Sequence, residues 1–404
     1  MSAASLLTPR LADEAIQARV TCLPIESLPL AQCVGGTLRE NIYGERDEPP
    51  FDRVAMDGIA VDSQSLRGGR TRFGIQGTQA AGSPPQRLQG PELAIEVMTG
   101  TILPAGCDCV IPYEQIQIQD RTAVLGEGVN STAYRHVHRR GSDSRQGALL
   151  LEAGTLLRAP EVAVAASAGM ARVRVSSQPA VMVISTGDEL IEPGEPIADY
   201  QVRRSNAYAV AAALRRRGFL RVGDDHVVDD EERLRERLTL HLNTHDLLIL
   251  SGGVSMGKFD LVPKVLAALG VEQVFHRIAQ RPGKPMWFGI GREGQSVFGL
   301  PGNPVSTLVC LARYVIPAIA AAMGAKRREP ERLALLSPVS VQAPLAYFMP
   351  VTIVQDDWGR SWADPRPTHG SGDFLSLAGT DGFVELPPGP NTYPKGFVSS
   401  IYRW

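Results

Sequence analysis

Three short polar turns hold the residue types best suited to binding an anion. They are Ser185–Thr186–Gly187–Asp188–Glu189, Ser251–Gly252–Gly253–Val254–Ser255 and Leu300–Pro301–Gly302–Asn303–Pro304, and each closes an apolar run. Glycine lets the backbone approach a ligand and offer it N–H groups. A helix beginning just beyond such a turn adds the positive end of its dipole, so the combination suits phosphate. Gly-rich turns are also common structural punctuation, and no P-loop or G-x-G-x-x-G pattern is present. Four carboxylates, Asp188, Glu189, Asp229 and Asp260, fall in or near the same region. Beside a phosphate they repel it unless a divalent cation lies between. Helix capping is the plainer reading of Asp229 and Asp260. A second cationic feature is Arg277 followed by Gln280–Arg281–Pro282–Gly283–Lys284–Pro285. Proline and glycine stiffen this loop, and arginine offers a planar fork to an oxyanion; a solvated surface turn is the alternative. From the residues alone, Phe51–Asp52 through Asp57–Gly58 reads only as a turn. His136 and His138 have no third ligand nearby in sequence.

These residues need a scaffold, and composition limits which. The chain has 404 residues, 44% hydrophobic and 21% charged, with 41 Lys+Arg against 43 Asp+Glu. That is globular composition and excludes a disordered chain. A net charge of −2 argues against a dedicated nucleic-acid binder. No run of about 18 consecutive apolar residues is present. Residues 1–19 lack the basic-then-apolar order of a signal peptide. The expectation is a cytoplasmic protein with no membrane partner. Of the 5 cysteines, only Cys107 and Cys109 are close, and they do not form a C-x-x-C pair, so neither disulfide framework nor zinc site is expected.

Pattern changes divide the chain. Residues 44–147 are rich in Gly, Pro and short β-type runs, which predicts a β domain. Helical periodicity in Thr8–Cys22 and Ala159–Ser167 flanks it, predicting a split helical domain from 1–43 and 148–178. In 179–328, apolar runs such as Val181–Ser185 and Leu247–Leu250 alternate with helices, the pattern of a parallel α/β sheet. Residues 329–404 return to short alternating runs and predict a small β domain.

Taken together, several motifs resemble one family. They are Pro50–Phe51–Asp52 with Ala55–Met56–Asp57–Gly58, Met98–Thr99–Gly100, Arg140–Gly141–x–Asp143, the three turns above, and Pro282–Gly283–Lys284–Pro285. In this order, over nearly the whole chain, they resemble the molybdopterin molybdenumtransferases, the MoeA family that includes the gephyrin E domain. The resemblance implies a multidomain α/β and β fold. Its parts would be a three-layer α/β molybdopterin-binding domain, a split helical domain, an inserted β domain and a C-terminal β-barrel. It also implies an L-shaped homodimer that inserts molybdenum from molybdate into adenylylated molybdopterin, with Mg²⁺ or another divalent cation, and releases AMP. Molybdopterin adenylyltransferase and recipient molybdoenzymes would be its partners.

By resemblance, Asp57 and Thr99 face the α/β site of the other subunit, and Glu189, Asp229 and Asp260 fall on acidic catalytic and metal positions. Asp143, Thr186, Gly187, Asp188, Ser251, Gly252, Gly253, Ser255, Pro301, Gly302, Asn303, Pro304 and Ser306 fall on substrate-binding motifs. Arg277 and Arg281 replace two lysines and, with Lys284 and Ser371, are expected to hold molybdate. The sequence departs from the family at Arg53–Val54 and Ser142. Pro350 stands where the family often has arginine, with Arg360 or Arg366 as candidate replacements. A non-catalytic molybdopterin-binding scaffold and a molybdopterin adenylyltransferase are the alternatives. Retention of Asp57, Thr99 and Glu189 favours the transferase.

Overall fold

Strand alternation and apolar runs build the centre of the molecule. The computed structural model describes residues 6–254, 261–341, 344–389 and 391–404. Its central elements are β1 (Val181–Thr186), α1 (Ser205–Arg216), β2 (Val222–Val227), α2 (Glu231–Thr244), β3 (Leu247–Ser251), α3 (Val262–Ala268), β4 (Glu272–His276), β5 (Trp287–Ile290), β6 (Ser296–Leu300) and α4 (Pro304–Cys310). The strands lie in the order β2-β1-β3-β6-β5-β4. Neighbours along a strand point to opposite faces. Val181, Val183, Ile249, Phe298 and Leu300 therefore pack on one side with α1 through Val210 and Leu214. Met182, Ile184, Leu248 and Val297 pack on the other with Leu234, Leu238 and Val265 of α2 and α3. Burial on both faces gives a three-layer α/β unit, and each such aliphatic contributes about 1.5–3 kcal/mol.

The sheet is not wholly parallel. β2, β1, β3 and β6 are parallel, but β5 runs antiparallel to both β6 and β4. No crossover helix separates β4 from β5 or β5 from β6, and without a long crossover neighbouring strands must reverse.

From β1 the chain moves to β2 on one side, then returns to β3 on the other. The reversal puts a crevice between β1 and β3, outside their carboxyl ends. Ser185 lies opposite Ser251, and Ser251 opposite Leu300, so the three polar turns leave the sheet at one level.

The N-terminal helix Pro9–Gln17 is capped by Thr8 and places Ala12 and Ile16 in the α/β core. Beyond it, Ile25–Pro29 pairs with Arg172–Ser176, and Ile42–Tyr43 with Leu149–Leu151. The returning segments thus meet through strands as well as through the helix Ala159–Ser167. Between them sits a six-stranded sheet in which Gly58–Val61 is flanked by Cys109–Pro112 and Leu93–Val97. Gly58 is obligatory there: a Cβ would stand 2.0 Å from the Ile111 carbonyl oxygen.

The C-terminal strands close into a barrel because Ala346–Gln355 pairs with both Ser361–Pro365 and Gly382–Leu386. Gln280–Arg281 adds to it, parallel to Ala346 and Tyr347, which fastens the basic loop to the barrel. The helical stretch Pro304–Ala322 is apolar and long enough to cross a membrane, yet its most apolar window is 72% buried within the protein. Val305, Val309 and Ala312 meet Phe348 and Phe383 of the barrel. Arg313, 7% exposed, pairs with Glu385 at 2.8 Å and Asp13 at 3.8 Å, so one guanidinium joins helix, barrel and N-terminal helix. Burial opposes its charge, but Glu385 and Asp13 outweigh that and lift its pKa above the ordinary arginine value.

Candidate active site

The crevice between the strand ends is a cleft of about 830 Å³. In the first turn Gly187 has φ +139°, and its carbonyl accepts a 2.9 Å hydrogen bond from His226 Nε2. Asp188 turns away from the cleft, and its carboxylate accepts the Asp229 backbone N–H at 3.0 Å. The cap of α2 is Asp230, which accepts from the Arg233 N–H at 2.8 Å. Capping was the plain reading of Asp229; the next residue takes that role, and Asp229 lines the cleft together with Glu189.

In the second turn Gly252 and Gly253 have φ +100° and +64°. A Cβ on Gly252 would meet the Thr186 carbonyl oxygen at 2.8 Å, and one on Gly253 would meet Thr186 Oγ1 at 2.9 Å. These glycines let two turns touch. His276 Nε2 donates to the Val254 carbonyl at 2.9 Å. In the third turn Pro301, Gly302, Asn303 and Pro304 all line the cleft. Asn303 Nδ2 donates to Ser371 Oγ at 2.8 Å, and Val305 N donates to the Ser371 carbonyl at 3.0 Å, so Ser371 docks a barrel loop on this turn. Ser306 is buried in α4 and does not line the cleft.

Asn206, at the start of α1, donates through Nδ2 to Ser251 Oγ at 2.9 Å and to the Gly302 carbonyl at 2.8 Å. It ties the second turn to the third. Sequence reasoning missed Asn206, His226 and His276. A polar residue opening a helix or ending a strand carries no signal by itself. Ser185 Oγ and Thr186 Oγ1 also line the cleft, buried and without a partner among the described residues. An unpaired buried hydroxyl costs about 1–3 kcal/mol unless a ligand satisfies it.

A second cluster forms on the β domain. Gly100 N donates to the Val54 carbonyl, Ala55 N to that of His136, Gly141 N to that of Pro49, and Arg140 N to Asp52. Three motifs distant in sequence thereby converge. Asp57 accepts from the Thr99 backbone N–H at 2.6 Å and from Thr99 Oγ1 at 2.8 Å. These two hydrogen bonds, the backbone one foremost, hold its carboxyl below the usual aspartate pKa. Both residues are exposed, and neither lines the cleft of its own chain. Asp143 pairs with His138 Nε2 at 2.8 Å, and His138 Nδ1 lies 3.1 Å from Arg53.

Thr99→Val keeps the backbone donor and removes the hydroxyl. The Asp57 pKa should then rise toward its ordinary value, since a depressed carboxylate pKa owes part of its shift to each hydrogen bond. Ionisation, and any stability linked to it, is present above the unfolded-state pKa and lost as pH falls through the folded one. The acidic limit of Asp57 ionisation should therefore move to higher pH, as read by carboxyl-carbon NMR titration. An unchanged titration would contradict the assignment.

Arg277, Arg281 and Lys284 do not line the cleft, and their side chains make no ion pair among the described residues. Arg281 and Lys284 are exposed. The candidate substitutes for the missing arginine are committed elsewhere: Arg360 to Asp356 at 2.7 Å and Arg366 to Asp364 at 2.9 Å. Ser255 and Asp260 lie outside the described residues. Burial pushes the Cys107 and Cys109 thiols up to about 12, which leaves them unreactive near neutrality.

Among the described residues no three His, Cys, Asp or Glu side chains converge as a metal site. Glu189 and Asp229 nevertheless present two carboxylates to one cleft. Mg²⁺ is commonly held by one or two carboxylates plus substrate phosphates and water, so this donor set fits it.

Known proteins share this architecture. Residues 8–169 match the family described as MoeA N-terminal region (domain I and II). Residues 182–321 match the probable molybdopterin binding domain, and residues 332–403 the MoeA C-terminal region (domain IV). The chain is 39% identical over 371 residues to a molybdopterin molybdenumtransferase of Synechocystis sp., covering 92% of this chain and 93% of that protein. It is 32% identical over 401 residues to one of Synechococcus elongatus, covering 97% and 98%. A solved structure of a molybdopterin biosynthesis moeA protein from Pyrococcus horikoshii OT3 superposes with TM-score 0.83 at 26% identity, covering 99% of this chain and 100% of that one.

Proposed function

Since this chain belongs to the MoeA family of molybdenum cofactor biosynthesis, we propose that it inserts molybdenum from molybdate into adenylylated molybdopterin and releases AMP. One observation carries this reading: glycine turns, orphan hydroxyls and two carboxylates line a single cleft at the reversal of strand order. The backbone N–H groups of Gly253 and Gly302, with the hydroxyls of Ser185, Thr186 and Ser251, bind the phosphates of the pterin substrate, while Gly187 and Gly252 spend their N–H groups on the Val227 and Leu300 carbonyls and serve the close approach of the turns. Pro301, Asn303 and Pro304 shape the same wall.

Glu189 and Asp229 would hold Mg²⁺, with Asp260 as a further candidate ligand. When bound, the cation offsets phosphate charge and makes AMP a better leaving group. Asp57 and Thr99 of a second copy complete that site, so the working unit is a homodimer. Asp143 supports this loop cluster through His138. Arg277, Arg281, Lys284 and Ser371 do not line the cleft, but Pro285 and Gly372 beside them do, so they would hold molybdate at its margin, where its negative charge needs cationic partners beside an anionic pterin. Water cleaves the anhydride, leaving a phosphate monoester on the pterin and freeing AMP; the dithiolene sulfurs displace oxo ligands from molybdenum, and each departing oxygen leaves as water with two protons supplied by the thiols or by solvent. No side-chain nucleophile is needed, because the protein's contribution is positioning and charge. We infer a cytoplasmic reaction, with molybdopterin adenylyltransferase supplying the substrate and molybdoenzymes receiving the product.

Incubation with adenylylated molybdopterin, Mg²⁺ and molybdate tests the reading. The expected result is stoichiometric AMP and active cofactor. Pterin binding without AMP release would replace it with a scaffold role. Adenylylation of molybdopterin from ATP would replace it with the adenylyltransferase.

A further inference from the structure

The expected cations of the basic loop stand outside the cleft, yet the cleft must hold an anion. The described residues lining it include two cations, the adjacent Arg203 and Arg204. Their surroundings differ. Arg204 is 7% exposed and neutralised by Asp224 and Glu192. Among the described residues Arg203 has no carboxylate partner: its Nη1 donates to the backbone carbonyls of Glu192 at 2.8 Å and Glu195 at 2.7 Å. Both hydrogens of that nitrogen are used, while no described residue claims the Nε–H or the Nη2 hydrogens. The free edge is the one that binds a phosphate or carboxylate with two parallel hydrogen bonds.

Local structure fixes this edge. Leu190–Ile191 pairs in parallel with Val202–Arg203, so the segment between them folds back as a loop over the first turn. Arg203 closes that loop by holding two of its carbonyls. A guanidinium anchored on neutral carbonyls keeps its full charge and has already lost most of its rotamer freedom. That preorganisation is what an anion site needs.

We propose that Arg203 is the cation that binds substrate phosphate in this cleft, through its Nε and Nη2 edge. The inference rests on the functional reading above, because it takes the ligand to carry a phosphate monoester or anhydride.

AMP binding measured by titration calorimetry at several salt concentrations tests it, using the full chain and the variants Arg203→Met and Arg203→Lys. Charge-assisted hydrogen bonds predict that Arg203→Met binds AMP roughly 10–100-fold more weakly. The wild type should lose affinity with salt and Arg203→Met should lose much less, because screening acts on the missing charge. Arg203→Lys should fall between them and keep the salt dependence. A loop-closing role alone would weaken both variants equally with the salt dependence unchanged, and that result overturns the proposal. If the wild type binds AMP and Arg203→Met binds it as tightly, the Arg203 assignment fails alone. If the wild type binds neither AMP nor inorganic pyrophosphate at millimolar concentration, the functional reading and the assignment fail together.

Discussion

Glu189→Gln should lower AMP release and cofactor formation by roughly 10²–10³-fold, and Asp57→Ala should do the same. Glutamine keeps the shape of Glu189 and removes its charge, which is the property the cleft needs beside a bound cation. Both residues are exposed, and surface substitutions usually change stability by no more than about 0.5 kcal/mol. The loss must therefore appear in turnover and not in the thermal midpoint. Parallel rate and melting measurements separate the two. A well-folded Glu189→Gln enzyme with near-normal AMP release would remove the carboxylate from the mechanism.

The second large effect is structural. Arg313→Ala should lower stability by about 3–5 kcal/mol, because removing one partner leaves buried charge uncompensated. Asp13 retains Arg327 at 2.8 Å, so most of the cost falls on Glu385. The double variant Arg313→Met with Glu385→Gln should recover much of the loss, since it removes both charges and restores apolar contact with Tyr402 and Tyr314. Urea denaturation of the three proteins measures this. A single-variant loss below about 1 kcal/mol would mean that the ion pair does not join the barrel to the α/β core.

Much of the scaffold was legible because burial writes itself into local pattern. Val181–Thr186 and Leu247–Ser251 are continuous apolar runs, as strands covered on both faces must be. The helix Ala159–Ser167 was marked by Pro160 at its start. The glycines of the turns were legible for the same reason: positive φ and close approach demand them. What stayed hidden depends on contacts between distant segments. Asn206 bonds residues 45 and 96 positions away. The pairing of Arg281 with Tyr347 joins two predicted domains. Asp229 and Asp230 look alike as caps, and only the backbone at the helix start decides between them. Arg203 and Arg204 are neighbours of one type whose roles are separated by which carboxylates the fold brings near.

The structure divides the expected catalytic residues within one chain. Glu189 and Asp229 line the cleft, while Asp57 and Thr99 form an exposed pair on the β domain. A site shared between two copies reconciles them. Co-expressing Asp57→Ala and Glu189→Gln chains under different tags, and isolating the mixed dimer, tests this directly. Shared sites predict one intact site per mixed dimer and about half the wild-type rate of AMP release, although each parent homodimer is nearly inactive. Sites built within single chains predict that the mixed dimer is as inactive as its parents, and that outcome would contradict the account.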